Sequence, residues 1–349
     1  MIKRIFISYI LPVRDESIYI ERLIESIIAQ EHGNIQFEII VADGMSEDGT
    51  REKVDVIKKK CSQLIMIDNP DKIVSSGFNR ALSISKGDFI VRIDGHARLG
   101  LNFLRNALNE FEFVKADCVG GTIKNISHTF IGKAISAAQR SKFGVGGVVF
   151  RGKVKKGRYV DTLAFGIYRR HVFEKIGGYD FELVRNQDDE FNYRMIQNDF
   201  KIWLHPSIKS FYYTRNTLQG LVKQYFQYGF YKIRVFQKRK GVASIRQIIP
   251  LLFVITSVLS IHLKYFHHNN FPILLLGYSY SILSIIFALS EMIKSSKFRF
   301  YYLFLPICFL AMHLSYGIGS LFGLLYFIDK WGDAELRDKY FNKNSFSRI

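Results

Sequence analysis

The segment FEIIVADGMSEDGT, residues 37–50, constrains the fold more than any other stretch of the chain. Ile39, Ile40, Val41 and Ala42 run without polar alternation, which suits a strand covered on both faces, and Asp43 is the first polar group beyond it. Asp48, Gly49 and Thr50 then end the extended run and open a helix over residues 51–60. A doubly covered strand calls for helices on both sides of a sheet, and ligands of such sheets bind outside the carboxyl ends of the strands. Taken alone, Asp43 serves equally well as a turn or cap residue; its neighbours decide.

Those neighbours repeat the pattern. Residues 4–11 read as a strand ending at Pro12, and Ser17 starts a helix with Ile20, Leu23, Ile24, Ile27 and Ile28 on one face. Strands at 37–42, 64–67 and 88–93 alternate with helices at 48–60 and 73–85. This alternation predicts a mostly parallel α/β sheet with right-handed crossovers. The strand-end loops carry Pro12, Arg14, Asp15 and Glu16; Asp43; Asp68, Asn69 and Pro70; then Asp94, Gly95 and His96. No Gly-x-Gly-x-x-Gly follows the first strand and no Gly-Lys-Ser/Thr loop occurs, so bound phosphates need another counter-charge. Asp94 and His96, at alternate positions after the fourth strand, suit one divalent ion that would neutralise a diphosphate. The alternative, in which Asp94 caps a helix and His96 is a satisfied loop histidine, stays open at this level.

At 349 residues with 48% hydrophobic content, the chain is long enough for one large domain and a second region. Beyond about Gly241, apolar runs at 248–263, 271–289 and 301–328 reach the roughly 17–25 residues a membrane helix needs. The first run is short and contains Pro250, so a re-entrant or interfacial helix is its alternative. Gly317, Gly319 and Gly323 beside His313 suggest close helix packing in the third. The net charge of +18 belongs to no nucleic-acid reading motif. Arg234, Lys238, Arg239, Lys240 and Arg246 precede the first run, and Lys294, Lys297 and Arg299 separate the second from the third, a cytoplasmic pattern under the positive-inside rule. Lys330, Arg337, Lys339, Lys343 and Arg348 in the tail argue the other way, because three crossings would put that tail outside. The aromatic and basic mixture over residues 218–241 reads as a helix at the lipid surface. No signal peptide is expected ahead of Ile5, and Cys61, Cys118 and Cys308 lack metal or redox spacing.

Four ordered motifs, ILPVRDE at 10–16, VADGMSEDGT at 41–50, KGDFIVRIDGH at 86–96 and NQDDEFNYR at 186–194, resemble the inverting family 2 glycosyltransferases. FGVGG at 143–147, YVDTLAFGIYRR at 159–170 and QYFQYGFYK at 224–232 are similar to the subgroup that includes succinoglycan-biosynthesis glycosyltransferases. The resemblance implies a GT-A fold, a UDP-sugar donor and a divalent metal, Mn²⁺ or Mg²⁺. It implies that Pro12, Glu16 and Asp43 hold the nucleotide, with Arg14, Gly147 and Gly166 in the same binding set, and that Asp94 is the metal-binding member of an Asp-x-Asp motif. His96 stands where the second Asp would be, so the expected metal pair is Asp94 and His96. The family's catalytic Asp falls on Asp188 when counted back from Arg194, with Asp189 as the alternative base. The residues themselves allow a plainer reading, that Asp188, Asp189 and Glu190 favour the positive end of a helix.

The resulting expectation is a GT-A domain over 1–215, interfacial helices over 216–246, a transmembrane region over 247–329 and a polar tail over 330–349. The implied activity is sugar transfer from a UDP-sugar to a lipid-linked, polyprenyl diphosphate saccharide in surface polysaccharide synthesis, by a multi-pass protein of the cell membrane with its catalytic domain cytoplasmic. A processive polysaccharide synthase, a polyprenyl-phosphate sugar transferase and a catalytically inactive nucleotide-sugar-binding membrane protein are the alternatives. Gln227 and Tyr228 stand where a processive synthase would carry Arg and Trp, which speaks against the first of these.

Overall fold

The computed structural model describes residues 5–152, 154–241, 244–295 and 298–337; Arg4, Lys297 and the basic residues of the tail beyond Arg337 lie outside the described residues. The chain begins β1 (Phe6–Val13), α1 (Ile20–Ile28), β2 (Gln36–Asp43), α2 (Thr50–Lys58), β3 (Leu64–Asp68), α3 (Val74–Ile84) and β4 (Phe89–Arg92). β1 pairs in parallel with β2 and β4, and β2 with β3. The register aligns Val13 with Asp43 and Asp43 with Asp68, so polar residues finish adjacent strands at one edge. Tyr9, Ile10, Leu11, Ile39, Ile40 and Val41 are wholly buried, as strands covered on both faces require.

β5 (Ala97–Leu99), α4 (Phe103–Phe113) and β6 (Cys118–Ile126) follow; α5 (Phe130–Ala138) and α6 (Lys142–Val145) come next, and then β7 (Arg158–Val160), β8 (Gly166–Arg169), α7 (Arg170–Ile176), α8 (Gln187–Gln197) and β9 (Ile202–Tyr213). The sheet order is β3-β2-β1-β4-β8-β6-β9-β5, with β7 on β9. From β4 onward antiparallel pairings appear: β4 with β8, β6 with β8, and β5 and β7 with β9. The sheet is therefore mixed, parallel through the region the alternation predicted and antiparallel beyond it, where β5, β7 and β8 have three or four residues each and carry too little periodicity to read.

The chain forms two compact units that interleave in sequence. The first takes residues up to Lys124, Lys153–Tyr212 and the segment from Glu335; the second takes Asn125–Gly152 and Tyr213–Ala334. The linear reading has no such exchange, since it runs one domain unbroken to residue 215.

In the second unit, α9 (Leu218–Arg239) is followed by α10 (Ile249–Phe266), α11 (Phe271–Lys294) and α12 (Leu305–Tyr326). Each of the last three opens with proline in its first turn, where the missing N–H costs nothing, so Pro250 starts a helix instead of breaking one. α9 packs lengthwise on α12 through small residues. A side chain at Gly229 would strike the Tyr316 carbonyl, at Gly319 the Phe226 carbonyl, and at Gly323 the Phe230 carbonyl. The expectation of basic residues turned toward lipid headgroups is corrected here: Lys232, Arg234, Lys238 and Arg239 are all buried. Arg234 donates to the Asp333 carbonyl at 2.8 Å and pairs with the Asp333 carboxylate at 3.1 Å. On α6, Phe143 packs among Tyr280, Phe287, Phe309 and His313, and its carbonyl is 2.9 Å from His313 Nε2. By length and composition, Ile249–Phe266, Phe271–Lys294 and Phe300–Tyr326 are able to cross a membrane.

Candidate active site

The strand-end loops of the first unit are tied to one another by their own polar groups. Asp43 is fully buried; Ser46 donates its hydroxyl and amide to the two carboxylate oxygens at 2.6 and 3.0 Å, and Arg51 bridges Asp43 at 2.7 Å and Asp68 at 2.8 Å. Arg51 thus balances two carboxylates that strand pairing sets side by side. The Glu16 amide donates to Thr50 Oγ1 at 2.9 Å, and the Asp15 amide to Ser46 Oγ at 2.9 Å, which joins the first loop to the second. Pro12 is buried beneath them and Arg14 is exposed.

Asp94 lies just past β4, about one-quarter exposed, and pairs with the buried guanidinium of Arg92 at 2.5 Å. His96 is engaged at both ring nitrogens, Nδ1 with Glu16 Oε1 at 2.6 Å and Nε2 with the Tyr212 hydroxyl at 3.0 Å. A carboxylate only accepts, so Nδ1 carries the proton and a neutral ring turns its Nε2 lone pair to Tyr212. Gly95 permits this closeness, since a Cβ there would lie 2.6 Å from Glu16 Cγ. Among the described residues no three His, Cys, Asp or Glu side chains converge as a metal cage. Asp94 nevertheless fits a divalent ion of the Mg²⁺ or Mn²⁺ type, which binds one or two carboxylates together with substrate phosphates. His96, as arranged, offers no spare lone pair.

The acidic run of residues 188–190 sits in the first turn of α8, which begins one residue before Asp188. Glu190 is committed to Arg194 at 2.6 Å, and Arg194 in turn donates to the carbonyls of Ile176 and Gly178 at 2.5 and 2.6 Å. This structural clamp removes Glu190 from consideration as a base. Asp188 is half-buried and crowded by protein: burial, then the like charges of Asp189 and Asp94, raise its pKa, while Arg92 and the Asp189 amide oppose the rise. Arg92 therefore pairs with Asp94 and exerts its charge on Asp188 as well, residues 94 positions apart in sequence. Burial acts to lower its pKa, and the two carboxylates with Tyr179 and Tyr168 hold it above the ordinary arginine value. Arg92 Nε and the Tyr179 hydroxyl are buried without a hydrogen-bond partner among the described residues.

Several glycines have packing reasons instead of ligand ones. A side chain at Gly178 would collide with Asn79, whose amide clasps the Tyr179 backbone at 2.7 and 2.8 Å. A Cβ at Gly166 would meet Cys118 Sγ at 2.6 Å. Gly147, with φ +76°, belongs to the second unit. Arg92, Tyr179, Tyr212 and Arg51 were missed from sequence; the one available signal was a charge at Arg92 inside an otherwise apolar strand, which demands a buried partner.

A parallel half-sheet with acidic strand ends, extended by antiparallel strands and followed by a helix that opens on carboxylates, is the layout of a GT-A fold. The glycosyl transferase family 2 profile matches residues 8–177. The succinoglycan biosynthesis protein ExoA of Rhizobium meliloti (strain 1021) is 31% identical over 69% of this chain and 73% of its own length. The dolichyl N-acetyl-alpha-D-glucosaminyl phosphate 3-beta-D-2,3-diacetamido-2,3-dideoxy-beta-D-glucuronosyltransferase of Methanococcus voltae is 30% identical, covering 73% of this chain and 81% of that one. The chain belongs to glycosyltransferase family 2 and is a glycosyltransferase. The fold is also that of the mannosyltransferase PcManGT from Pyrobaculum calidifontis, solved with GDP-Man and Mn²⁺, with a TM-score of 0.56, 17 parts in 20 of the sequence differing (15% identity), and coverage of 92% of this chain and 88% of that one.

Proposed function

We propose that the protein is a membrane-anchored, inverting glycosyltransferase that moves one sugar from a nucleoside diphosphate sugar, a UDP-sugar by the family pattern, to a lipid-linked saccharide during surface polysaccharide assembly. The observation that carries this reading is the Arg92–Asp94 pair at the end of β4, whose guanidinium also acts electrostatically on Asp188. Asp188 takes the proton of the acceptor hydroxyl as that oxygen attacks the anomeric carbon; no second carboxylate is needed as nucleophile, so configuration inverts. Arg92 opposes the rise that burial gives the pKa of Asp188. Glu16 and the Asp43 loop frame the nucleotide, with Pro12 beneath and Arg14 at the rim, and Asp94 would hold a divalent ion. Such an ion, when bound, neutralises the diphosphate and eases its departure. Asp189 is the alternative base.

The acceptor class rests on the names of the two relatives, one acting in succinoglycan synthesis and one on a dolichyl phosphate-linked sugar, together with the apolar helices that hold the enzyme at a membrane. The basic residues flanking those helices support a catalytic unit on the cytoplasmic side. The test is nucleoside diphosphate release by the purified full-length protein, screened over UDP-glucose, UDP-galactose, the UDP-N-acetylhexosamines and GDP-mannose, with a lipid extract as acceptor. Donor-dependent release with one sugar added per acceptor is the expected result. Long homopolymer from a single donor would replace this reading with a processive synthase, and no release with any donor would sink it.

A further inference from the structure

We infer that the chain crosses the membrane twice, as the α10–α11 hairpin, and that α12 does not cross but lies with α9 on the catalytic side. The inference rests on the membrane anchoring proposed above and adds its topology. The chain leaves the first unit after Tyr212 and rejoins it at Glu335. The return is bonded within that unit: the Phe181 amide donates to the Arg337 carbonyl at 2.6 Å, and the Arg337 amide reaches Asp180 Oδ2 at 3.4 Å. A segment that starts and finishes on one folded unit makes an even number of crossings, so three is excluded.

Packing within the second unit says which helix stays behind. Only 11% of the apolar window of α10, and 11% of that of α11, is buried in protein, against 44% for Phe300–Tyr326. Leu252, Val258, Leu259, Leu275, Ile282 and Ile286 stand about half exposed, as a lipid-facing surface requires. α12 instead gives its small-residue face to α9, and Gln237 of α9 donates to the Phe327 carbonyl at 2.6 Å. α9 carries Lys232, Arg234, Lys238 and Arg239, so an α12 that crossed would draw those charges into hydrocarbon. Gly317, midway along α12, abuts the Pro250 carbonyl in the first turn of α10, which sets the middle of α12 level with the start of the hairpin.

Charge gives the same answer independently. With two crossings, Lys238, Arg239, Lys240, Arg246, Lys294, Arg299, Lys330 and Arg337 all fall on one side, and the turn of the hairpin, His267-His268-Asn269-Asn270, carries no Lys or Arg. Lys264 alone is near that turn, one helical turn inside and able to snorkel. Three crossings would divide the basic residues between the two sides. α10, at 18 residues, is about 27 Å long, near the roughly 30 Å of the hydrocarbon core.

The test places reporters at the N- and C-termini of the full chain and probes His268→Cys and Ser295→Cys in sealed membranes with an impermeant maleimide. The expected outcome is both termini and position 295 in one compartment and position 268 alone in the other. A C-terminal reporter in the compartment of position 268 restores three crossings and overturns the inference. Labelling of position 268 from the same side as the termini overturns it as well, since the hairpin then does not cross. Release of the unaltered protein by alkaline carbonate would strike the anchoring reading itself, a failure distinguishable from the other two.

Discussion

Replacing Asp188 by Asn tests the catalytic assignment and the electrostatics beneath it together. The substitution keeps shape and removes one negative charge from a place where burial, Asp189 and Asp94 all disfavour it. Loss of a general base costs about 10²–10⁴-fold in rate, or roughly 3–5 kcal/mol of barrier at about 1.4 kcal/mol per tenfold. Donor affinity should hold within about threefold, because Asp188 is assigned to the acceptor side and binding that is equal in ground and transition states is untouched. Stability should move oppositely to activity. A carboxyl whose folded-state pKa is raised stabilises the fold below its unfolded value of about 3.9 and loses that contribution as pH rises through the folded pKa. At pH 8 the ionised Asp188 is therefore a cost, and Asp188→Asn should melt at or above the wild-type temperature, with the difference vanishing toward pH 4. The wild-type kcat/KM should fall on the acid side at a pH above the ordinary aspartate range, because the base must be ionised. Single-turnover transfer, donor titration and thermal melts at several pH values supply the readouts. An Asp188→Asn enzyme retaining more than about a tenth of wild-type rate, with Asp189→Asn inactive, would shift the base by one residue; an Asn variant less stable at pH 8 would refute the electrostatic account.

Exhaustive chelation should stop transfer and Mn²⁺ restore it, and Asp94→Asn should raise the Mn²⁺ needed by about tenfold or more, the scale of one lost charge-assisted contact. His96→Ala should leave that Mn²⁺ requirement within about threefold while weakening nucleotide binding, measured by UDP titration, because its nitrogens serve Glu16 and Tyr212. Arg92→Leu strands Asp94 without its counter-ion and should cost about 3–5 kcal/mol in denaturant unfolding, since breaking a buried pair leaves an uncompensated charge. Gly319→Val should force α12 away from the Phe226 carbonyl and lower the detergent-solubilised melting temperature by an amount matching about 1–3 kcal/mol of overpacking.

The parallel half of the sheet and the apolar helices were legible in the sequence because each is a local pattern. Ile39 to Val41 must be covered on both faces whatever surrounds them, and runs such as residues 271–289 exceed what a core helix needs. Asp43, Asp94 and Asp188 stood out as candidates for the same local reason, since each ends or follows a strand or opens a helix. What sequence could not give is which side chain meets which. Arg92, paired with Asp94, acts on Asp188 as well only because β4 pairs with β8, whose chain leads on through α7 to α8, and that pairing involves strands too short to carry a period. Composition assigned Arg234 to a lipid surface, yet its guanidinium is buried against Asp333, a residue 99 positions away. Hydropathy alone made three helices equivalent, and only packing separated α12, much of which is buried and which lies against a charged helix, from α10 and α11, most of whose apolar surface is exposed. Periodicity is set by neighbours one turn or one pleat apart and survives in the sequence; partnership between distant charges depends on chain crossings that a linear pattern does not encode.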